Sequence, residues 1–241
     1  MIETNPLKTY PALVARLRQA IAGDAALEAA VGGDFVTVGR LEFALLKQFG
    51  LCDGQFVVDV GCGSGRLALA LSSLSRVGYL GTDIVQDLLD HAQKICGRSD
   101  WRFVRTNGLE IPSAAGQADW VCFFSVFTHL THEDTFRYLK EAARVLKPGG
   151  KIVFSFLEFL VHSHWAVFEL SVEKGSIGDH LNQFMARDAV AAFAHHLGLT
   201  VTGIYAGDTP HIPIEEELVW HDGRIMSHQG ALGQSVAILT K

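Results

Sequence analysis

The chain alternates between short apolar runs and stretches with helical periodicity. Seven apolar runs have the length and composition of buried β-strands. They are FVVDV (56–60), VGYLGT (77–82), WRFVR (101–105), WVCFF (120–124), KIVFSF (151–156), LTVTGIY (199–205) and SVAILT (235–240). Apolar residues three and four apart predict helices between several of these runs. The predicted helices cover 65–74, 86–96, 132–146 and 187–197.

Short apolar strands that alternate with helices indicate a mostly parallel sheet covered on both faces. We therefore predict an α/β fold with a doubly wound, seven-stranded sheet. The last two strands have no helix pattern between them, which predicts an antiparallel last strand. Two segments, 157–186 and 207–233, do not fit the alternation. We interpret them as irregular insertions that cover a site, with 157–186 as a lid.

The region before the first strand has its own pattern. Apolar stripes predict helices at 11–22 and at about 40–49. The predicted organisation is a helical leader, residues 1–50, packed on a core domain of residues 51–241. The first twenty residues of the chain do not show a basic segment followed by an apolar one, as a signal peptide would. No apolar run approaches the roughly 18 residues of a membrane helix. We expect a cytoplasmic protein that does not enter the membrane.

Composition and charge exclude some classes of binding partner and of site. The 241 residues carry a formal net charge of −6, and the basic residues are scattered. Because binding to phosphate backbones needs clustered Lys and Arg, nucleic acid is not the expected partner. The four cysteines, Cys52, Cys62, Cys96 and Cys122, lie far apart in the sequence. We interpret them as small core residues rather than as a zinc site or disulfide framework.

The stretch VVDVGCGSGRLALAL (57–71) places three glycines where a strand should turn into a helix. Glycines there cost stability, so a ligand close to the backbone must compensate. Dinucleotide sites need G-x-G-x-x-G, but Arg66 stands where the third glycine belongs. Asp59 would also repel a pyrophosphate and attract an ammonium. A ligand with a cationic amino-acid end and an adenosine end therefore fits better than a nicotinamide dinucleotide.

Five stretches resemble, in order, the motifs of class I S-adenosylmethionine-dependent methyltransferases. The first is VVDVGCGSGR (57–66). The others are LGTDI (80–84), FVRTNGLEIP (103–112), ADWVCFFSVFTHL (118–130) and RVLKPGGKIVFSF (144–156). The resemblance implies the methyltransferase form of the Rossmann-like fold and S-adenosylmethionine as the cofactor.

The resemblance also implies that nine residues bind this cofactor. They are Asp59, Gly61, Gly63, Gly65, Asp83, Ile84, Asn107, Gly108 and Ser125. By the resemblance, Asp59 orients the glycine loop near the methionine ammonium, and the three loop glycines shape the wall against the cofactor. Asp83 takes both ribose hydroxyls, and Ile84 packs on the adenine ring. Asn107 and Gly108 meet the adenine edge, although the family usually has Asp at the first of these positions. Ser125 lies at the mouth between cofactor and acceptor.

The acceptor is the open part of the prediction. A hydroxyl acceptor needs a base, and His129, just beyond the fourth strand, is the catalytic candidate. Its alternative role is to fix the loop before the next helix. The histidines of the irregular segments, such as His162 and His164, are weaker candidates, and Arg40 is a possible partner of the cofactor carboxylate.

Two further features limit the acceptor and the chemistry. The [DN]-P-P-[YFW] signature for nucleobase amino groups is absent, because FFSVF (123–127) stands in its place. Together with the negative charge, this favours methylation of O or N of a small molecule. The sequence has no cluster of carboxylates at the fourth strand that would predict a metal site. The alternatives are a nicotinamide-dependent oxidoreductase and a non-catalytic cofactor-binding regulatory module. The oligomeric state stays open.

Overall fold

The computed structural model describes residues 5–173 and 181–241. Within these ranges the strands form one seven-stranded sheet and one two-stranded hairpin. The strands are β1 (Phe56–Val60), β2 (Gly78–Asp83), β3 (Arg102–Arg105), β4 (Ala118–Phe123), β5 (Leu146–Phe156), β6 (Thr200–Tyr205), β7 (Ile212–Val219), β8 (Ile225–Gly230) and β9 (Ser235–Thr240). The order in the large sheet is β3-β2-β1-β4-β5-β9-β6. β9 is antiparallel to both β5 and β6, so the prediction of an antiparallel last strand is confirmed.

Helices cover both faces of this sheet. They are α1 (Pro6–Ala20), α2 (Ala25–Ala29), α3 (Phe35–Gln48), α4 (Arg66–Leu71), α5 (Gln86–Cys96), α6 (His132–Val145), α7 (His162–Glu173) and α8 (Arg187–His196). Successive strand residues point to opposite faces, and Val57 and Val58 of β1 accordingly belong to two different apolar clusters. The predicted doubly wound α/β fold is confirmed.

Helix α6 shows why the sequence pattern located the elements so well. The Thr131 hydroxyl accepts a hydrogen bond from the backbone N–H of Asp134 at 3.2 Å, which caps the first turn. Leu139 and Ala142 are then fully buried on the inner face of the helix. The helix ends at Val145, and β5 begins at the next residue.

The prediction that the insertions 157–186 and 207–233 are irregular is wrong. The first contains α7, and the second folds into the β7–β8 hairpin, which lies on α3. Exposed ion pairs join this hairpin to α3, with Arg40 bound to Glu216 at 2.9 Å and Lys47 to Glu215 at 2.8 Å. Much of α7 and of β7 is exposed. Their sequences therefore lack the regular spacing of apolar residues from which helices and strands are predicted. Residues 174–180 of the predicted lid lie outside the described residues.

Buried polar contacts show that the first of these segments contributes to the scaffold. His164 is buried, its Nδ1 accepts a hydrogen bond from the backbone N–H of Glu158 at 2.9 Å, and its Nε2 donates to the Gly233 carbonyl at 2.9 Å. The Glu158 carboxylate in turn binds Arg187 at 2.8 and 3.1 Å. His164 is therefore a structural histidine rather than a catalytic one.

The leader packs closely on the sheet domain through α3. Leu41, Leu45 and Leu46 of this helix are fully buried in one of the two clusters. A Cβ atom at Gly39 would lie 2.3 Å from the Arg66 carbonyl oxygen, so only glycine lets α3 approach the start of α4 this closely. The division into a leader of 1–50 and a domain of 51–241 stays a prediction.

Two remaining expectations concern the cysteines and the membrane. Cys62, Cys96 and Cys122 are buried free thiols, as expected. Cys52 is exposed, which corrects its assignment to the core; it lies in the loop before β1. None of the helices in the described ranges is long and apolar enough to cross a membrane.

Candidate functional site

A cavity of about 460 Å³ lies at the carboxyl ends of β1, β2 and β4. The strand order reverses between β1 and β4, which is where open α/β sheets bind ligands. Eight of the ten predicted site residues line it, namely Asp59, Gly61, Gly63, Asp83, Ile84, Gly108, Ser125 and His129. Gly65 and Asn107 do not line it. Asn107 is exposed and lines an adjoining cavity, which shares Thr106, Gly108 and Leu109 with the first.

The glycine loop after β1 is held by main-chain hydrogen bonds from β2. The N–H groups of Gly61 and Cys62 both donate to the Thr82 carbonyl, at 2.8 and 2.9 Å. Gly65 has φ +92°, and a Cβ atom there would lie 2.6 Å from the Ala92 Cβ of α5. This glycine is therefore required by the packing of the loop on α5, even though it does not face the cavity.

Asp83 ends β2 and fixes the loop from the other side. Its carboxylate accepts hydrogen bonds from the N–H groups of Gly63 and Val85, both at 2.9 Å. Burial raises the pKa of this carboxyl, and the N–H donors work in the opposite direction. A carboxylate has about four acceptor positions, so two amide donors leave capacity for a ligand.

Asp59 lies on β1 at the floor of the cavity. Its Oδ2 accepts a hydrogen bond from the Tyr79 hydroxyl at 2.7 Å. Burial raises the pKa of Asp59 to about 7, assisted by the negative charges of Glu42 and Asp83, while Tyr79 and Arg66 lower it. Hydrogen bonds to Thr82 and Asp83 hold the loop amides, and the orienting role of Asp59 stays a prediction.

Ser125 and His129 follow β4 and line the cavity from the loop after that strand. The Nδ1 atom of His129 is 2.8 Å from the Leu181 carbonyl oxygen, and its ring meets Tyr10 of α1 edge-on at 5.4 Å. Ser125 has a positive φ of 58°, rare for a residue with a side chain. Its N–H donates to the Ser155 hydroxyl at 2.7 Å, which stabilises this conformation.

Comparison with known proteins gives the family. A family model described as a methyltransferase domain matches residues 57–150. The demethylmenaquinone methyltransferase of Halalkalibacterium halodurans is 28% identical over 197 aligned positions, and the match covers 71% of this chain and 80% of that protein. The ubiquinone biosynthesis O-methyltransferase of Methylococcus capsulatus is 33% identical over 108 residues, 43% of this chain and 44% of that protein. The methyltransferase in complex with the Haloferax volcanii Trm112 methyltransferase activator has the same fold, with a TM-score of 0.65 at 18% identity over 100% of this chain and 99% of that one.

The protein is an S-adenosylmethionine-dependent methyltransferase with the class I fold, and residues 57–150 carry its methyltransferase domain. S-adenosylmethionine is the cofactor of this methyltransferase, and the reading as a nicotinamide-dependent oxidoreductase is set aside. Among the described residues, no group of three or more His, Cys, Asp or Glu side chains could hold a metal ion.

The residues present fit the cofactor. The spare acceptor capacity of Asp83 suits two ribose hydroxyls, and Ile84 lies beside it in the lining. The cavity contains more carboxylates than cationic side chains, as a ligand with a sulfonium and an ammonium requires. These individual roles stay predictions, and the exposed Asn107 has the weakest support.

The lining also contains residues that the sequence did not identify as site residues, among them Tyr10, Glu42, Arg66 and Tyr138. Burial raises the pKa of both tyrosines to about 12, so they carry neutral hydroxyls. The Arg66 guanidinium lies 2.7 Å from Glu42 Oε1. Arg40, by contrast, binds Glu216 at the surface and does not line the cavity, so it is not the partner of the cofactor carboxylate.

A signal for Glu42 was present. This residue precedes Leu45 by three positions, so it falls on the apolar face of α3. A glutamate within an apolar stripe implies a buried carboxylate, and buried carboxylates require a partner.

Proposed function

We propose that this methyltransferase methylates an oxygen or nitrogen of a small molecule, and that a hydroxyl is the acceptor its residues suit best. The observation that carries the proposal is the contact of 2.8 Å between His129 Nδ1 and the Leu181 carbonyl oxygen. A carbonyl oxygen only accepts, so Nδ1 must donate its proton to the Leu181 carbonyl. In the neutral ring, Nε2 then carries the lone pair and can accept a proton.

The walls of the cavity support a small acceptor. Leu7, Leu109, Leu130 and Leu181 give the lining an apolar character around His129. The cavity volume falls within the range of roughly 300–1,000 Å³ that is usual for small-molecule sites. Both curated relatives described above have names that refer to quinone metabolism, which further supports an apolar ring as the acceptor. The name of the second also specifies oxygen as the methylated atom of its own acceptor.

The chemistry that the chain must supply is limited. When bound, S-adenosylmethionine provides a methyl group already activated by its sulfonium, and the displacement is in line. His129 Nε2 accepts the hydroxyl proton as the oxygen takes up the methyl group. Ser125 and Tyr10 border the same space and limit the directions from which an acceptor can approach.

The test is a transfer assay with labelled methyl donor against phenols, catechols, quinols, amines, RNA and protein. We expect label in a hydroxylated ring compound. The variant His129→Asn keeps an amide N–H for the Leu181 carbonyl but lacks Nε2. General base catalysis contributes about 10²–10⁴ in rate, so kcat should fall within that range while the affinity for S-adenosylmethionine stays within twofold.

The matched control is His195→Asn, which changes an exposed histidine of α8 outside the cavity. It should leave kcat unchanged. Label that accumulates only in RNA or protein would overturn the small-molecule proposal, and an unchanged kcat in His129→Asn would remove His129 from catalysis. Cofactor binding with no transfer to any acceptor would favour the regulatory module.

A further inference from the structure

Glu42 has one carboxylate oxygen without a partner inside the protein. Its side chain is 1% exposed, and Oε1 binds Arg66 at 2.7 Å. Within the described part of the chain, Oε2 forms no hydrogen bond, yet Glu42 lines the cavity. A buried carboxylate oxygen without a donor is costly, so a ligand in the cavity is the available source of that donor.

The charges around Glu42 define the ligand group. Glu42, Asp59 and Asp83 are all buried carboxylates that line the cavity, and Arg66 is the guanidinium among them. Arg66 is already occupied, because it also donates to the carbonyl oxygens of Val31 and Gly32 at 3.2 and 3.3 Å. The excess is therefore negative, and the missing partner is a cation that carries N–H groups.

We propose that Glu42 accepts a hydrogen bond through Oε2 from the ammonium group of the methionine end of S-adenosylmethionine. The sulfonium of the cofactor is also cationic, but it has no hydrogen to donate. Arg66 acts as a positioning residue, because it holds Glu42 by its other oxygen. The proposal rests on the cofactor and not on the acceptor.

The fold explains how a residue of the leader reaches the cofactor. Gly39 lies one turn before Glu42 and permits the contact of α3 with the Arg66 backbone. The neighbouring Leu41, Leu45 and Leu46 anchor the helix in the core. The leader therefore completes the cavity, beside the motifs of the sheet domain.

The experiment compares ligands with and without the amino-acid end. Isothermal titration of wild type and Glu42→Gln would use S-adenosylhomocysteine and 5′-methylthioadenosine, which has the adenosine but no ammonium. We expect Glu42→Gln to raise the Kd for S-adenosylhomocysteine at least tenfold and to change the Kd for 5′-methylthioadenosine less than twofold. Glu28→Gln, the same charge change on α2 outside the cavity, should change neither.

Each contrary outcome has a defined meaning. Equal weakening of both ligands, or an unchanged Kd for S-adenosylhomocysteine, would overturn the proposal. If Glu42→Gln fails to fold, Glu42→Asp keeps the charge on a shorter side chain and must show the same selective loss. A wild-type protein that binds neither ligand would contradict the cofactor assignment itself, and this is seen before any variant is made.

Discussion

Asp59 is held in a protonation state that the cofactor should change. In the empty cavity, burial and the carboxylates of Glu42 and Asp83 raise its pKa to about 7. An ammonium nearby would favour the ionised form and lower that pKa. Cofactor binding should therefore release a proton. The affinity for the cofactor should be weak at low pH, increase as the pH passes through about 7, and become constant at higher pH.

The magnitude follows from the fraction of Asp59 that is ionised before binding. With a pKa of about 7, this fraction rises about eightfold between pH 6.0 and pH 7.5, equivalent to about 1.2 kcal/mol. Isothermal titration with S-adenosylhomocysteine over this interval measures the change directly. Repeating the titration in two buffers of different ionisation enthalpy should give release of about half a proton at pH 7.

Two variants separate Asp59 from the other titrating groups. Asp59→Asn should remove the pH dependence that is centred near pH 7, because the group with a pKa of about 7 is gone. Tyr79→Phe removes the 2.7 Å hydrogen bond that lowers the pKa of Asp59, so the midpoint should move to higher pH. A flat affinity in the wild type, or a pH dependence that persists in Asp59→Asn, would refute the reasoning.

Three further predictions concern binding and stability. Asp83→Ala should weaken cofactor binding by about 1–3 kcal/mol through loss of charged hydrogen bonds, measured by titration; unchanged affinity would remove Asp83 from the site. Gly65→Ala should lower the free energy of unfolding in urea by about 1–3 kcal/mol more than Gly116→Ala does. Both glycines have a positive φ, but of the two only Gly65 has a neighbour within 4 Å of an added Cβ atom. Equal losses of stability would mean that no clash exists at Gly65. Arg187→Ala should lower the free energy of unfolding by about 2–3 kcal/mol, because it leaves the buried Glu158 unpaired. The affinity for the cofactor should stay within twofold of wild type. A loss of affinity without a loss of stability would contradict the structural role of Arg187.

The fold could be predicted because the signals were local. The runs 56–60 and 235–240 and the helix 86–96 have the predicted bounds, since each combines a clear apolar pattern with clear ends. The β7–β8 hairpin was missed because its outer face is exposed and acidic, and its stability comes from contacts with α3 that are distant in sequence. Such an element has no strong periodicity of its own.

The site residues also divide into those that have a local sequence signal and those that do not. Asp59, Asp83 and the loop glycines belong to one continuous stretch of strands and turns, so the motifs located them. Tyr10 and Glu42 reach the cavity from the leader, across tertiary contacts that no spacing encodes. The apolar stripe around Glu42 indicated burial, but only the structure gives its partner.

The electrostatics of the cavity explain why a similar glycine turn serves different ligands. A turn of this kind exposes main chain to whatever approaches, so the side chains around it decide which ligand is admitted. One unit charge acting on another at about 5 Å contributes about 3 kcal/mol at an effective dielectric constant of 20. A pyrophosphate would therefore meet repulsion from Glu42, Asp59 and Asp83 that Arg66, already bound to Glu42, offsets only in part. For the ammonium and the sulfonium of the cofactor the same charges are attractive, so the choice between the two ligands depends on the carboxylates rather than on the glycine spacing alone.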